Sequence, residues 1–332
     1  MNAHISSGTL HEIESKIGSR SARVGVIGLG YVGLPLSLLY VGQGFPVTGF
    51  DIDQRKVEML EAGKSYIYRI PEEEIQEARA KRFVPTSDFS KLKEIDAIII
   101  CVPTPLDEHH EPDLSFITNT AHAIAPYLQA GQLIILESTT YPGTTEEVLV
   151  PILERGNSNG LKAARGGASA EDAFFVAFSP EREDPGNTTV PRHDIPKVVG
   201  GLNAKATELA CALYGSIFKR TIQVTSPAAA EMTKLLENIY RCVNIAMVNE
   251  LKLCVYAWAW IFGRSSKLLQ RSPLDSTLST RALDWVATVF QSIRFIFRGR
   301  RMNGTSTRDS SNWPVKLTAP CPTTLSNPLG RR

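Results

Sequence analysis

The chain has 332 residues, 43% of them hydrophobic and 21% charged, with a formal net charge of +2. This is ordinary for a soluble globular protein and long enough for two domains, each with its own core. The small net charge averages two unlike parts: residues 1–254 hold 24 Lys+Arg and 31 Asp+Glu, whereas residues 255–332 hold 12 and 3.

Residues 1–21 form a polar lead-in with no apolar core of a secretory signal. Arg23 to Gly30 (RVGVIGLG) is an apolar run ending in glycines, the pattern of a buried parallel strand. A helix is expected from Tyr31 to Gly44, a second strand at PVTGFD (46–51), and a helix from Asp53 to Ala62 closed by Gly63. Residues 71–82 read as a charged helix, AIIIC (97–101) as a buried strand broken by Pro103, and 117–128 as a helix. QLIILE (132–137) and FFVAF (174–178) are further strands, separated by a polar loop at 156–170. KVVG (197–200) precedes a helix at about 203–218, and Ser226-Pro227 opens a long helix to about Leu253. Strands alternating with helices predict an α/β fold, a doubly wound, Rossmann-like parallel sheet followed by a long central helix. The expected organisation is 1–21 lead-in, 22–220 nucleotide-binding domain, 221–254 central helix, and a tail from 255 to 332 without a coherent fold.

Gly28-Leu29-Gly30-Tyr31-Val32-Gly33 is a GxGxxG string between a strand and a helix. Such a loop turns tightly at the first glycine and admits a pyrophosphate at the second. The third packs helix on strand. Asp51 ends the next strand, where a carboxylate can accept from a ribose hydroxyl and repel a 2′-phosphate, which favours NAD over NADP. Lys56 is placed near the same ribose. The bland alternative is that the glycines only close a turn and Asp51 caps a helix.

Other polar residues follow strand ends: Thr104, Ser138, Thr139 and Glu181. Ligands of a doubly wound sheet bind outside those ends, though a lone Thr is also an ordinary helix cap. Lys234 and Asn238, four apart on the long helix, share one face, which could equally be a solvated one. Leu235, Leu236, Ile239 and Val243 are expected to supply the buried face.

The strings VGVIGLGYVGLPL (24–36), FDID (50–53), CVPTP (101–105), ESTTYPGTT (137–145), FSPEREDPGN (178–187), PKVVGG (196–201) and AAEMTKLLENIYRCVNIAMVNELKL (229–253) together resemble the UDP-glucose/GDP-mannose dehydrogenase family. The resemblance is strongest to its UDP-N-acetylglucosamine and UDP-N-acetylmannosamine branch. It implies an NAD-dependent oxidation of a sugar C6 alcohol to a carboxylate for surface polysaccharide precursors, in the cytoplasm, by a homodimer built on the long helix. It implies no membrane or nucleic-acid partner and no metal. It places NAD on Gly28, Gly30, Tyr31, Val32, Gly33, Asp51, Lys56, Thr104 and Thr139. Thr139 would position a water or the substrate hydroxyl, and Glu181 would assist water attack on a thioester. Lys234 would stabilise oxyanions, and Asn238 would hold substrate or water beside it. UDP-glucose or UDP-N-acetylmannosamine dehydrogenase, or a non-catalytic NAD-binding remnant, are the alternative readings. A 3-hydroxyacid dehydrogenase shares the glycine loop and a helix lysine but not FSPEREDPGN or ESTTYPGTT.

The family's nucleophile is a cysteine in Gly-Gly-His-Cys after the long helix. The chain has no such string, and neither Cys254 nor Cys321 has a matching context. A shifted reading frame accounts for this. Leu283 to Val289 (LDWVATV) can be written CTG GAT TGG GTG GCC ACT GTC. Dropping its first two bases gives GGA TTG GGT GGC CAC TGT, or Gly-Leu-Gly-Gly-His-Cys. The same offset permits family-like sequence across Asp275 to Phe297. Taken at face value, the basic and aromatic SIRFIFRGRR (292–301) could instead touch anionic lipid or nucleic acid.

Overall fold

In a computed structural model, residues 8–105, 108, 112–166, 172–181 and 194–269 are described. Most of FSPEREDPGN, the basic–aromatic stretch, Cys321 and residues 275–297, where the shifted frame is expected to read as family sequence, lie outside them.

Four short strands, apolar or glycine at every position but Thr48, set the centre of the sheet: β1 (Val24–Ile27), β2 (Val47–Phe50), β4 (Ala97–Ile100) and β5 (Leu133–Leu136). Continuous apolar sequence is what a parallel strand covered on both faces requires. Alternate residues serve opposite layers: Ile99 and Ile135 join one core cluster, Ile98 and Ile134 the other. β7 (Ala173–Phe178) extends the row beside β5, and β3 (Phe83–Thr86) closes the far side beside β2. The order is β3-β2-β1-β4-β5-β7, then β8 (Lys197–Gly201) and β9 (Thr221–Gln223), with the two-residue β6 (Lys162–Ala163) pairing β7 off this path.

The sheet is therefore mostly but not wholly parallel: β8 runs antiparallel to β7, through Ala177 opposite Gly201 and Phe178 opposite Gly200. β3 is an addition to the sequence-based expectation. It contains Pro85, whose missing N–H is tolerated on an edge strand.

Among the described residues, α1 (Gly8–Gly18), α2 (Gly33–Gly42) and α7 (Ala204–Gly215) contribute to one core cluster, with Ile13, Leu34 and Leu209. The lead-in thus carries a packed helix, whose Ile13 and Ile17 are buried and whose Lys16 bonds Asp96. Into the opposite cluster α5 (Ser115–Ile124) and α6 (Val150–Gly156) send Ile117 and Leu153. Two smaller helices, α3 (Gln54–Glu61) and α4 (Glu72–Ala80), follow β2.

The final described helix, α8, spans Pro227–Leu269 and runs past the expected end at 253. No proline interrupts it before Pro273, and a single Gly263 costs only about 1 kcal/mol. The chain divides into two units within this helix, after Met247. In the first unit Leu236, Ile239 and Val243 are exposed, against the expectation that they supply a buried face. Pro227, Ala230 and Glu231, at the start of the helix, are buried.

Candidate active site

The sheet reverses direction of winding between β1 and β4, and a cleft of about 610 Å³ opens there at the carboxyl ends of the strands. This is where ligands of doubly wound sheets bind. Its wall comes from Gly28, Gly30, Tyr31 and Val32 after β1, Asp51 and Lys56 after β2, Thr104 after β4, and Thr139 and Glu181 after β5 and β7. The sequence-based cofactor residues are thus brought together, with Gly33 just behind them at the start of α2.

The three glycines have separable causes. Gly28 adopts a φ of +92°, and a Cβ there would sit 2.7 Å from the Cys101 carbonyl oxygen. A Cβ at Gly33 would lie 2.0 Å from the Gly28 oxygen, so that residue lets α2 approach β1. Neither observation distinguishes a ligand loop from a tight turn. At Gly30 a Cβ meets nothing within 4 Å, as at Gly18, Gly42 and Gly215 elsewhere, so the space over the loop is open to a ligand. Nothing in the protein requires a glycine at that place, whereas a pyrophosphate approaching the backbone would. In the first turn of α2, Pro35 has no N–H and Leu34 and Leu36 donate to the Gly30 and Val32 carbonyls, so an anion beside Gly30 would be met by N–H groups earlier in the loop.

Asp51 is 6% exposed, and its carboxylate accepts from Leu29 N (3.0 Å), Asp53 N (2.9 Å) and Lys56 Nζ (3.1 Å). A carboxylate has about four acceptor positions, so a ribose hydroxyl can still be received. Lys56 is bonded to Asp51, which holds the acid in place. Tyr66, missed in the sequence, pins the glycine loop by donating its hydroxyl to the Leu29 carbonyl. Burial, reinforced by Asp51, pushes that hydroxyl well above the usual tyrosine range, so it remains a donor.

Thr104 and Thr139 are not helix caps. The Thr104 hydroxyl donates to the Thr139 carbonyl (2.7 Å), and the Ser138 hydroxyl donates to Val102 O (2.7 Å). These bonds lock the β4 and β5 loops together and turn both ends toward the cleft. Lys234 is half-buried and donates to the Glu181 carbonyl. Burial, and then Arg241, lower its pKa below the ordinary lysine value. Asn238 is not brought into this group: it is exposed, and its side-chain oxygen accepts from Arg241 (2.9 Å). One helical turn suffices to place it beyond the floor that Lys234 reaches.

Sequence reasoning also missed Glu137, Lys197 and Tyr214, which lie together beneath Glu181. The available signal was a single lysine heading an otherwise apolar strand, KVVGG, which is unusual for a buried element. Among the described residues no group of three or more His, Cys, Asp or Glu could hold a metal, and no helix is long and apolar enough to cross a membrane.

A glycine loop, a buried acid after β2 and a polar floor at the switch point have the arrangement of a dinucleotide-binding dehydrogenase domain. Residues 22–218 match the model of the UDP-glucose/GDP-mannose dehydrogenase family, NAD binding domain, and the chain belongs to that family, with NAD as the cofactor of this domain. It is 37% identical over 237 residues to the UDP-N-acetyl-D-glucosamine 6-dehydrogenase of Salmonella typhi, a match covering 71% of this chain and 53% of that protein. The UDP-N-acetyl-D-mannosamine dehydrogenase of Pyrococcus horikoshii is 36% identical over 245 residues, covering 71% and 54%. Among solved structures, the NDP-N-acetyl-D-galactosaminuronic acid dehydrogenase of Methanosarcina mazei Go1 superposes with a TM-score of 0.62 at 34% identity, covering 74% of this chain and 52% of that one. The chain spans about half the length of the curated relatives it matches.

Proposed function

We propose that the chain is the NAD-binding half of a nucleotide-sugar 6-dehydrogenase acting in the cytoplasm on a UDP-N-acetylhexosamine. The observation that carries this reading is the cleft itself, where an unobstructed Gly30, a ribose-accepting Asp51 and the Thr139–Glu181 floor converge. Relatives named for UDP-N-acetylglucosamine and UDP-N-acetylmannosamine support the choice of sugar class. Bound NAD would accept a hydride. The protein's own residues do the rest: Gly28, Gly30, Tyr31, Val32 and Gly33 cradle its phosphates, and Asp51 with Lys56 orients the ribose. Thr104 holds Thr139, which orients the reacting hydroxyl or a water. Glu181 is placed to take a proton from that water. Lys234, with its pKa lowered by burial, is suited to stabilising charge on oxygen. Asn238 would join the site only through a rotation that frees it from Arg241.

The printed residues contain no Gly-Gly-His-Cys, and a shifted frame from about residue 255 is part of this reading. It is supported by codon compatibility over several segments in one offset and by the swing from an acidic to a basic composition. The 332-residue chain is accordingly expected to bind NAD and to yield no sugar acid. A gene with the frame restored near codon 255 should yield an enzyme reducing two NAD per UDP-N-acetylhexosamine. Sugar acid made at ordinary rates by the printed chain contradicts the first expectation. A frame-restored protein that folds but reduces no NAD contradicts the second.

The homodimer belongs to the same proposal. Leu236, Ile239, Tyr240 and Val243 recur at helical spacing and stand exposed on α8. Sedimentation should show a dimer that dissociates in Ile239→Asp, and a monomeric parent chain rules it out.

A further inference from the structure

The buried group below the cleft has more charge than packing requires. Lys197 opens β8 with its side chain 3% exposed. Its ammonium lies 3.0 Å from Glu137 Oε1 and 2.7 Å from Glu181 Oε2. The Glu137 side chain is fully buried and that of Glu181 is 14% exposed. The Tyr214 hydroxyl donates to Glu137, and the Lys197 ammonium stands over the rings of Tyr214 (5.0 Å) and Phe218 (5.5 Å). One cation thus bridges two acids that both line the cleft, and the second is the more exposed of the two.

We propose that Lys197 is a positioning residue for Glu181, clamping its carboxylate at the floor of the NAD cleft, with Glu137 and Tyr214 as the fixed anchor. The inference rests on the reading that Glu181 serves the reacting end of the cleft. Burial by itself would lower the lysine's pKa, but Glu137 and Glu181 outweigh it and hold the group charged. Glu137 is pushed upward by burial and pulled back by Lys197. The other groups facing this centre are the Cys101 thiol after β4, itself raised by burial, the Tyr40 hydroxyl on α2, and Lys234 on α8, on which Arg241 and Glu237 act in turn. If the ammonium is removed, two carboxylates confront each other with little solvent, and such a pair retains one proton near neutral pH.

The test uses the full chain, infrared spectroscopy of the carboxyl region, and calorimetry with NAD and with NADH from pH 6 to 8. Oxidised nicotinamide is cationic, so its affinity relative to NADH reports the charge on the floor. The parent should show no protonated-carboxyl band and a preference for NAD independent of pH. In Lys197→Met a band should appear at pH 6, where the shared proton leaves the floor as negative as the parent's, and the preference for NAD should rise by about tenfold by pH 8 as that proton is lost, the equivalent of one pKa unit. Lys197→Arg should restore the parent behaviour. Should Lys197→Met fail to fold, the double variant E137Q/K197M leaves no pair of acids: no band is expected, yet the NAD preference should drop because Glu181 is no longer clamped. A folded Lys197→Met or double variant with the parent's preference across this pH range overturns the proposal. Glu181→Gln separates the two layers. If it leaves the NAD preference unchanged, the assignment of Glu181 to the reacting end fails, whereas a loss in Glu181→Gln with a pH-independent, parent-like preference in Lys197→Met sinks the clamp alone.

Discussion

Gly30→Val is expected to abolish NAD binding while leaving the fold intact. The argument is steric and one-sided. A Cβ at this position touches no protein atom within 4 Å, and Gly30 lies outside the left-handed region. The variant should therefore keep the parent's melting temperature. The added branched side chain instead occupies the space through which a pyrophosphate reaches the backbone N–H groups of the glycine loop. Loss of those charge-assisted bonds should weaken NAD by roughly 100-fold or more, about 2.8 kcal/mol. Calorimetry with thermal denaturation on the same sample checks both halves. A folded Gly30→Val that still binds NAD like the parent would leave only the turn-closing account of the loop. Gly33→Ala offers the contrast: its Cβ would lie 2.0 Å from the Gly28 oxygen, so stability and binding should fall together.

Glu231→Ala should be the most destabilising single change in the first unit. This carboxylate is wholly buried on α8. It accepts from Gly143 N (2.6 Å), Thr145 N (2.9 Å) and Thr145 Oγ1 (2.7 Å). Gly143 and Thr145 flank the start of the π-helical turn Thr144–Leu149 that follows the Thr139 loop. The acid thus ties the Lys234 helix to the Thr139 loop. Truncation leaves two buried N–H groups and a hydroxyl without an acceptor, at a cost of about 4 kcal/mol. That corresponds to a fall of roughly 10 °C in melting temperature. Glu231→Gln keeps the shape and one acceptor oxygen and should lose about half as much. Urea denaturation of the three proteins gives the order directly. Equal stabilities would mean that α8 is not anchored through this residue.

The parts of the site that were legible in the sequence are those set by local rules. The glycine spacing fixes a loop over a few residues, and Asp51 is placed by the length of one helix and one strand. Strands such as AIIIC announce burial on both faces without reference to the rest of the chain. What was not legible depends on the path of the chain in space. The direction of β8 cannot be read from KVVGG, because five residues pair equally well either way and the preceding connection decides. Lys197 reads as a surface charge until Glu137 and Glu181, far away in sequence, are brought against it. Asn238 shares a helical face with Lys234, yet four residues of rise separate them by about 6 Å, enough to leave one over the floor and the other in solvent. The stripe at Leu236, Ile239 and Val243, expected to be buried, is exposed, because periodicity states that a face is apolar and not what covers it.

Gly30, Asp51 and the Thr139–Glu181 floor all converge on one claim, that the cleft between β1 and β4 holds NAD and excludes its 2′-phosphorylated counterpart. Titrating the purified 332-residue chain with NAD and then with NADP by calorimetry tests it most directly. The account predicts one saturable site for NAD and at least tenfold weaker binding of NADP, because Asp51 would repel the added phosphate. A folded chain that binds neither dinucleotide, or that prefers NADP, would contradict it.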